Sequence, residues 1–425
     1  MSAGDSLIPR LCTFIDASPT PFHAVASVKV RLAAAGYTEL REDDPWHLEP
    51  EGRYFVTRNE SALIAFRCPG RFPEGPTLIG AHTDSPALKL KPKPELDGQG
   101  LVRLAVEPYG GVLQNPWFDR DLALAGRVHF RNPEGTVQGA LVQLPEKLAI
   151  IPSLAIHLDR EANQKRSINA QTDLPALFAF ENDEATLKAL LKTALEAAGH
   201  AVEAILDHEL LFYDTQGAAT VGLDGAFLAS ARLDNLLSCF CATEALLNSG
   251  NTPALIVLND HEEVGSASSS GAAGPFLDQV LRRITPGEED SARLRARAWL
   301  ISADNAHAVH PNFPDRHDRA HGPRLGGGPV IKINANQRYA SNSATQARFR
   351  DLCDQAAVPV QSFVTRSDLG CGSTIGPITA AELGIATVDV GIPQLAMHSI
   401  RELCAVDDVA AMVTALTQAL SAEGA

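Results

Sequence analysis

The sequence predicts an α/β layer fold with a mostly parallel sheet, interrupted by a β-rich insertion. Three observations carry this. The C-terminal half alternates helical and strand-like segments. Short apolar runs such as "TLIGAH" (77–82) and "ALIVLN" (254–259) end abruptly in acids and histidines, as buried strands do where ligands collect at carboxyl ends. Residues 95–228 instead alternate apolar and polar positions with Gly and Pro punctuation, the pattern of β-hairpins.

Each element follows from its local pattern. Residues 22–36 (FHAVASVKVRLAAAG) carry helical periodicity and stop at a glycine. In the insertion, "LVRLAVEPYGGVLQNPWFDRDLALAGRVHF" reads as hairpins, and 183–199 (DEATLKALLKTALEAAG) as one amphipathic helix. The second half is expected to run helix 231–249, strand 254–259, helix 275–284, strand 298–303 and strand 329–334. Helix 343–356, strand 359–364, helix 374–383, strand 386–391 and helix 405–420 follow. Residues 1–94 and 229–425 therefore form one discontinuous domain, and 95–228 a domain inserted into it.

Composition bounds the function. The chain has 425 residues, of which 45% are hydrophobic, enough for two or three domains. The formal net charge is -15 and no Lys/Arg block occurs, which argues against a nucleic-acid or acidic-membrane surface. The start, MSAGDSLIPRLCTF, lacks a basic stretch followed by an apolar one, so no signal peptide is expected. No apolar run is long enough to cross a bilayer. Seven cysteines without a CxxC pair point to reduced thiols and a cytoplasmic location, most of them as small core residues.

The chemistry gathers where strands end. His82 and Asp84 lie in "GAHTDSP", Asp234 in "ARLDNLLS", Glu262 and Glu263 in "DHEEVGS", Asp304 and His307 in "SADNAHAVH", and His398 in "AMHSIRE". Each has a bland account alone: a hydrogen-bonded structural histidine, or an N-cap in the case of Asp234. Together they bring two histidines and at least three carboxylates to one sheet edge. Two adjacent glutamates buried without a partner are costly, and a pair of divalent cations would supply the missing positive charge. Imidazoles suit zinc, cobalt and nickel, while added carboxylates admit manganese. A carboxylate shared by two ions about 3.5–4 Å apart would hold both, and a bridging water would become a nucleophile. Strand alternation assigns Glu262 and Glu263 different roles, one as ligand and one as general base. His82 followed by Asp84 fits a ligand oriented by a carboxylate behind it.

Other residues leave alternatives open. Lys332, mid-strand in "PVIKIN", needs an anion, supplied by a structural ion pair or by substrate. His307, three residues after Asp304, is either a loop histidine or part of the site. "CGSTIGP" (371–377) offers close backbone approach to substrate, or simply a capped helix start. His261 is read as structural.

These residues sit in motifs that resemble the aspartyl aminopeptidase family, co-catalytic dizinc exopeptidases. The resemblance covers nearly the whole chain: "SPTPFHAV" (18–25), "GAHTDSP" (80–86), "YGG" (109–111), "PWFDRDLALAGRV" (116–128) and "LAIHLDR" (154–160) come first. "ARLDNLLS", "DHEEVGS", "SADNAHAVHPN", "KINANQRYASNS", "CGSTIGPI" (371–378) and "MHSIRE" follow in the same order. It implies a three-layer zinc-exopeptidase (phosphorylase/hydrolase-like) catalytic domain, with the insertion serving dimerisation or oligomerisation. It implies two divalent ions, zinc first, with manganese or cobalt as alternatives. Asp234 would bridge them, His82 and Asp304 would complete one site, and Glu263 and His398 the other. Glu262 would be the general base and Asp84 would orient His82. His157 would reach a neighbouring subunit's site to stabilise the oxyanion, with metal ligation as its alternative role. His307 and Lys332 would contact substrate. The implied substrate is a peptide with an N-terminal Asp or Glu, and the implied assembly a dodecamer built from dimers. Two other readings stand beside this one: a related dizinc hydrolase of different specificity (a neutral-residue aminopeptidase or a deacylase), and a non-catalytic assembly or binding protein on the same scaffold.

Overall fold

The computed structural model describes residues 7–68, 75–145, 147–181 and 186–422. The chain divides into two compact units. The first comprises the chain up to Asp84, Ala218–Met397 and the chain from Glu402; the second is Ser85–Gly217 with His398–Arg401.

The first unit is built on a nine-stranded sheet. Its order is Thr38–Leu40, Gly52–Arg58, Ala62–Cys68, Ala254–Asn259, Thr77–His82, Trp299–Ala303, Ala386–Gly391, Val330–Ile333 and Gln361–Val364. The four strands from Ala254–Asn259 to Ala386–Gly391 run parallel. Of the remaining pairings two are parallel and three antiparallel, so the sheet is mostly parallel, as expected, with antiparallel steps on either side of its centre. The reason is local. Residues 52–68 fold as a hairpin around Asn59 and Glu60, whose φ angles are 52° and 56°, and a tight turn allows only antiparallel pairing.

The apolar runs are continuous because both faces of the central strands are covered. Along Ala254–Asn259, Ile256 and Leu258 join a core shared with helices Leu7–Asp16, Pro21–Ala34, Leu233–Asn248 and Val406–Ser421. Leu255 and Val257 face the opposite core, with helices Phe276–Ile284 and Glu288–Arg297. This makes three layers. Helix Leu233–Asn248 is tied to both N-terminal helices through buried Glu244: Arg10 Nη1 lies 2.8 Å from its Oε1, and Arg31 contacts the same oxygen. A five-stranded sheet, Ala219–Val221, Phe227–Ser230, Glu402–Ala405, Pro393–Leu395 and Ala306–His307, completes the unit.

The second unit is a six-stranded antiparallel sheet, ordered Val137–Gln143, Leu122–Arg131, Ala204–Asp214, Ala87–Gly98, Leu101–Tyr109 and Ala176–Phe180. Helix Leu187–Ala197 buries Leu187, Leu191 and Leu195 in its core. The expected helix 183–199 is thus shorter, capped by Thr186, and residues 183–185 lie outside the described residues. The units part at 84/85 and 217/218, not at 94/95 and 228/229. A break at 94 would cut strand Ala87–Gly98, which pairs with Leu101–Tyr109 from end to end apart from a central irregularity.

Gly391 shows how tightly the strand ends converge. A Cβ there would lie 2.0 Å from the Asp304 carbonyl oxygen and 2.8 Å from the Asn305 carbonyl carbon. Gly391→Ala should therefore cost about 1–3 kcal/mol of stability through overpacking and shift Asp304. Thermal unfolding and an amide-hydrolysis assay on the same sample check this; a wild-type Tm with a wild-type rate would show that the strands give way harmlessly.

Candidate metal centre and active site

Adjacent parallel strands deliver the site residues from their carboxyl ends. His82 ends Thr77–His82 and is paired in register with Asn259. Glu262 and Glu263 follow Asn259 by a few residues, and Asp304 directly follows Trp299–Ala303. Asp234 comes from the first turn of Leu233–Asn248, where its backbone is non-helical (φ -85°, ψ 104°). The N-cap account of Asp234 fails, because that helix has no side-chain cap and Asp234 Oδ1 lies 3.5 Å from His82 Nε2. Three hydrogen bonds fix the segment: Asp234 N–H to Glu402 Oε2 at 2.9 Å, Asn235 Nδ2 to the Ala303 carbonyl at 2.9 Å, and Asn305 Nδ2 to the Leu233 carbonyl at 2.7 Å.

The cluster closes around His82. Its Nδ1 lies 3.1 Å from the Asp84 carbonyl and 3.3 Å from Asp84 Oδ1. Its Nε2 lies 3.5 Å from Asp234 Oδ1 and 3.7 Å from Asp304 Oδ1. Asp84 also accepts the Glu262 N–H at Oδ1 and the Glu263 N–H at Oδ2, both at 3.1 Å. One carboxylate thus orients the histidine and clamps the turn bearing both glutamates. That turn overturns the strand-alternation argument. His261 is left-handed (φ 60°), and Glu262–Val264 is a 3₁₀ turn rather than extended chain. Both glutamates reach His82: one ligand atom from each of His82, Glu262 and Glu263 lies within 4.8 Å of the others, and the same holds for His82, Asp234 and Asp304. His261 is structural, with Nδ1 2.9 Å from Ser268 Oγ.

The electrostatics describe an excess of negative charge. Burial raises Glu262 to about 8; His82 opposes the rise, while Asp304, Asp234 and Asp84 add to it. Burial likewise lifts Glu263 well above the carboxylate range, with Asp234 adding to the rise. Burial alone would depress His82, but its contacts with Asp234, Asp304 and Asp84 hold it well above the usual imidazole value. Five carboxylates, one imidazole and buried Lys332 are poorly balanced, and a nitrogen-and-oxygen donor set of this kind fits divalent zinc.

Lys332 is enclosed at 3% exposure. Its Nζ lies 3.2 Å from Asp304 Oδ2, donates to the Asn305 carbonyl at 2.8 Å and sits 5.2 Å from the Tyr339 ring centroid. Of its two alternatives the ion pair is present, and only a third N–H remains for any other acceptor. His307 is exposed and meets Phe363 edge-on at 5.9 Å. It lines a cavity of about 230 Å³ with Arg316, His317, Tyr339, Arg366 and Cys371 among others. Cys371 opens the "CGSTIGP" segment, whereas Tyr339 is marked only by its position in "KINANQRYASNS". His398 and His157 belong to the second unit. His398 Nδ1–H donates to the Gly111 carbonyl at 3.1 Å, the kind of bond that fixes a ligand histidine's tautomer. His157 is exposed in a stretch that also exposes Leu154, Ile156 and Leu158.

Comparison with known proteins agrees with this chemistry. The profile of the family described as aminopeptidase I zinc metalloprotease (M18) matches residues 14–419. A probable M18 family aminopeptidase 2 of Stutzerimonas stutzeri is 56% identical over 418 residues, covering 97% of each chain. Its counterpart in Pseudomonas aeruginosa (strain LESB58) is 57% identical over 412 residues, covering 96% of each. Among solved structures, a chain of the Ape4 and Nbr1 complex superposes with a TM-score of 0.94 at 38% identity, covering 98% of this chain and 86% of that one. The S. cerevisiae mApe1 dodecamer superposes with a TM-score of 0.85 at 28% identity, covering 97% and 96%. With the three-layer fold and a zinc-suited donor set at its strand ends, this chain belongs to the aminopeptidase I family of zinc metalloproteases (M18).

Proposed function

We propose that this metallo-aminopeptidase releases N-terminal Asp or Glu from peptides, using two divalent ions held by the strand-end cluster. The observation that carries the reading is the crowding of five carboxylates around one buried imidazole. Asp234 would hold both ions, His82 and Asp304 one of them, Glu263 and His398 the other, with Asp84 orienting His82. When bound, the ions polarise the scissile carbonyl and acidify water at the site. Glu262 takes the proton from the attacking water and returns it to the leaving amine. His157 of a neighbouring subunit donates to the developing oxyanion, in an assembly for which the dodecameric mApe1 is the precedent.

Acidic specificity is supported by the cavity beside His307, whose lining includes Arg316 and Arg366 against one acid, Asp318. Lys332, by contrast, is engaged with Asp304. That same engagement favours the second reading, a dizinc hydrolase of neutral specificity, because Lys332 is already partnered. The non-catalytic reading has no observation in its favour.

Amide substrates bearing Asp, Glu, Leu and Lys separate the two, assayed after chelation and after return of zinc, manganese or cobalt. Asp- and Glu-selective activity that returns with metal is expected; metal-dependent activity on Leu alone would remove the specificity and keep the chemistry. In the same assay Glu262→Gln should lower kcat by about 10²–10⁴-fold while metal content stays at wild type.

His157→Ala and Glu262→Gln should each be inactive alone but regain partial activity when co-expressed, since mixed assemblies pair an intact Glu262 with a neighbour's intact His157. Co-expressed material no more active than either parent would count against action between subunits.

The raised acids make the metal-free protein pH-sensitive. Glu262 binds its proton more tightly when folded, so its stabilising contribution is complete below the ordinary carboxylate range and disappears as pH rises toward 8. His82, also raised, acts in the same direction above the ordinary imidazole value. The Tm of chelated protein should therefore fall between about pH 5 and pH 8, and zinc should flatten the fall by replacing protons with cations. Titration calorimetry in buffers of different ionisation enthalpy should register proton release on zinc binding near neutral pH. A flat Tm with no proton release would exclude this linkage.

A further inference from the structure

The substrate cavity has a buried anchor outside the metal cluster. Asp389 lies on the central strand Ala386–Gly391 and is fully buried. Its carboxylate accepts from two separate loops: the Thr374 hydroxyl donates to Oδ1 at 2.6 Å, and the Ala340 N–H to Oδ2 at 2.6 Å. Its own backbone N–H donates to Ser341 Oγ at 2.9 Å. The fit is close, since a Cβ on Gly376 would lie 2.3 Å from Asp389 Oδ1. The two loops meet in the cavity lining beside His307, where the Tyr339 hydroxyl and Cys371 hydrogen-bond. One carries Tyr339, whose ring lies 6.4 Å from Phe363, and the other carries Cys371, whose sulfur accepts from Thr365 Oγ1 at 3.3 Å.

We propose that Asp389 is a positioning residue for substrate binding, holding the Tyr339 and Cys371 loops at the spacing that shapes the cavity. A carboxylate is suited to this because it only accepts, so both incoming donors are satisfied at once. An asparagine would turn an NH₂ toward either the Ala340 N–H or the Thr374 hydroxyl, leaving a buried donor unpaired and one loop displaced. The effect belongs on binding, because the hydrogen bonds of Asp389 run to Thr374, Ala340 and Ser341, none of them a proposed metal ligand.

This rests on the cavity's being the substrate subsite of the aminopeptidase reaction. The test is steady-state kinetics on the full assembly with zinc content measured per subunit. Asp389→Asn should raise KM about tenfold for whichever amino-terminal residue the wild type prefers, with kcat within about threefold and zinc content unchanged. Thr374→Val should raise KM in the same way, and Thr374→Ser, which keeps the hydroxyl, should restore it. Should Asp389→Asn not fold, the Thr374 pair decides alone. An unchanged KM in Thr374→Val, or a fall in kcat and zinc content with KM constant, would overturn the proposal. Because the readout follows the preferred substrate, a wild type that prefers Leu would refute acidic specificity and leave the role of Asp389 to be decided by the KM shift.

Discussion

The Asp84 carboxylate is the constraint on which the first unit's site depends. Fully buried, it takes the N–H groups of Glu262 and Glu263 on its two oxygens and faces His82 Nδ1. These contacts join the ends of two neighbouring strands. Remove the carboxylate and two backbone donors lose their acceptors while the imidazole loses its orientation, a cost well beyond one hydrogen bond because buried groups are left unpaired. A helical turn after the strand serves this geometry, because its successive N–H groups point the same way and meet both oxygens of one side chain, as they do not in an extended strand.

Gathering so many acids has a price, visible in the raised carboxyls Asp260, Glu262 and Glu263. The chain relieves part of it internally, with Lys332 bound to Asp304 and His82 set among Asp84, Asp234 and Asp304. On the proposed reading the rest would fall to divalent metal, which would make metal binding and folding of this region one equilibrium. A site balanced without metal would bind metal less well, so the strain of the empty cluster is the affinity of the filled one.

Strand ends were legible where burial on both faces imposed unbroken apolar runs: 77–82, 254–259 and 386–391 fall where the pattern puts them. Most of the candidate ligands were legible for the same reason, since charge after such a run is conspicuous. The 52–68 hairpin was not, because Asn59 and Glu60 take the left-handed turn without a glycine to announce it. The five-stranded sheet was not, because strands as short as Ala306–His307 show no period. The differing roles of Glu262 and Glu263 cannot rest on alternation once the chain leaves the strand, and the second function of Asp84 depends on residues 178 and 179 positions away.

A net charge of -15 and an acidic substrate conflict only if the field is judged from far away. Beyond a Debye length of about 8 Å at physiological salt, the protein's overall charge is largely screened. Within that distance the cavity presents Arg316 and Arg366, both permanent cations. Arg366 is held by a paired contact with Asp368, Nε to Oδ1 at 2.9 Å and Nη2 to Oδ2 at 2.6 Å, so its position is fixed although part of its charge is compensated. Selection of an acidic residue, as proposed, would then be a matter of short-range placement rather than long-range attraction. Placement of that kind requires rigid walls, and it is in this sense that a fully buried acceptor such as Asp389 would bear on substrate choice under the proposal above.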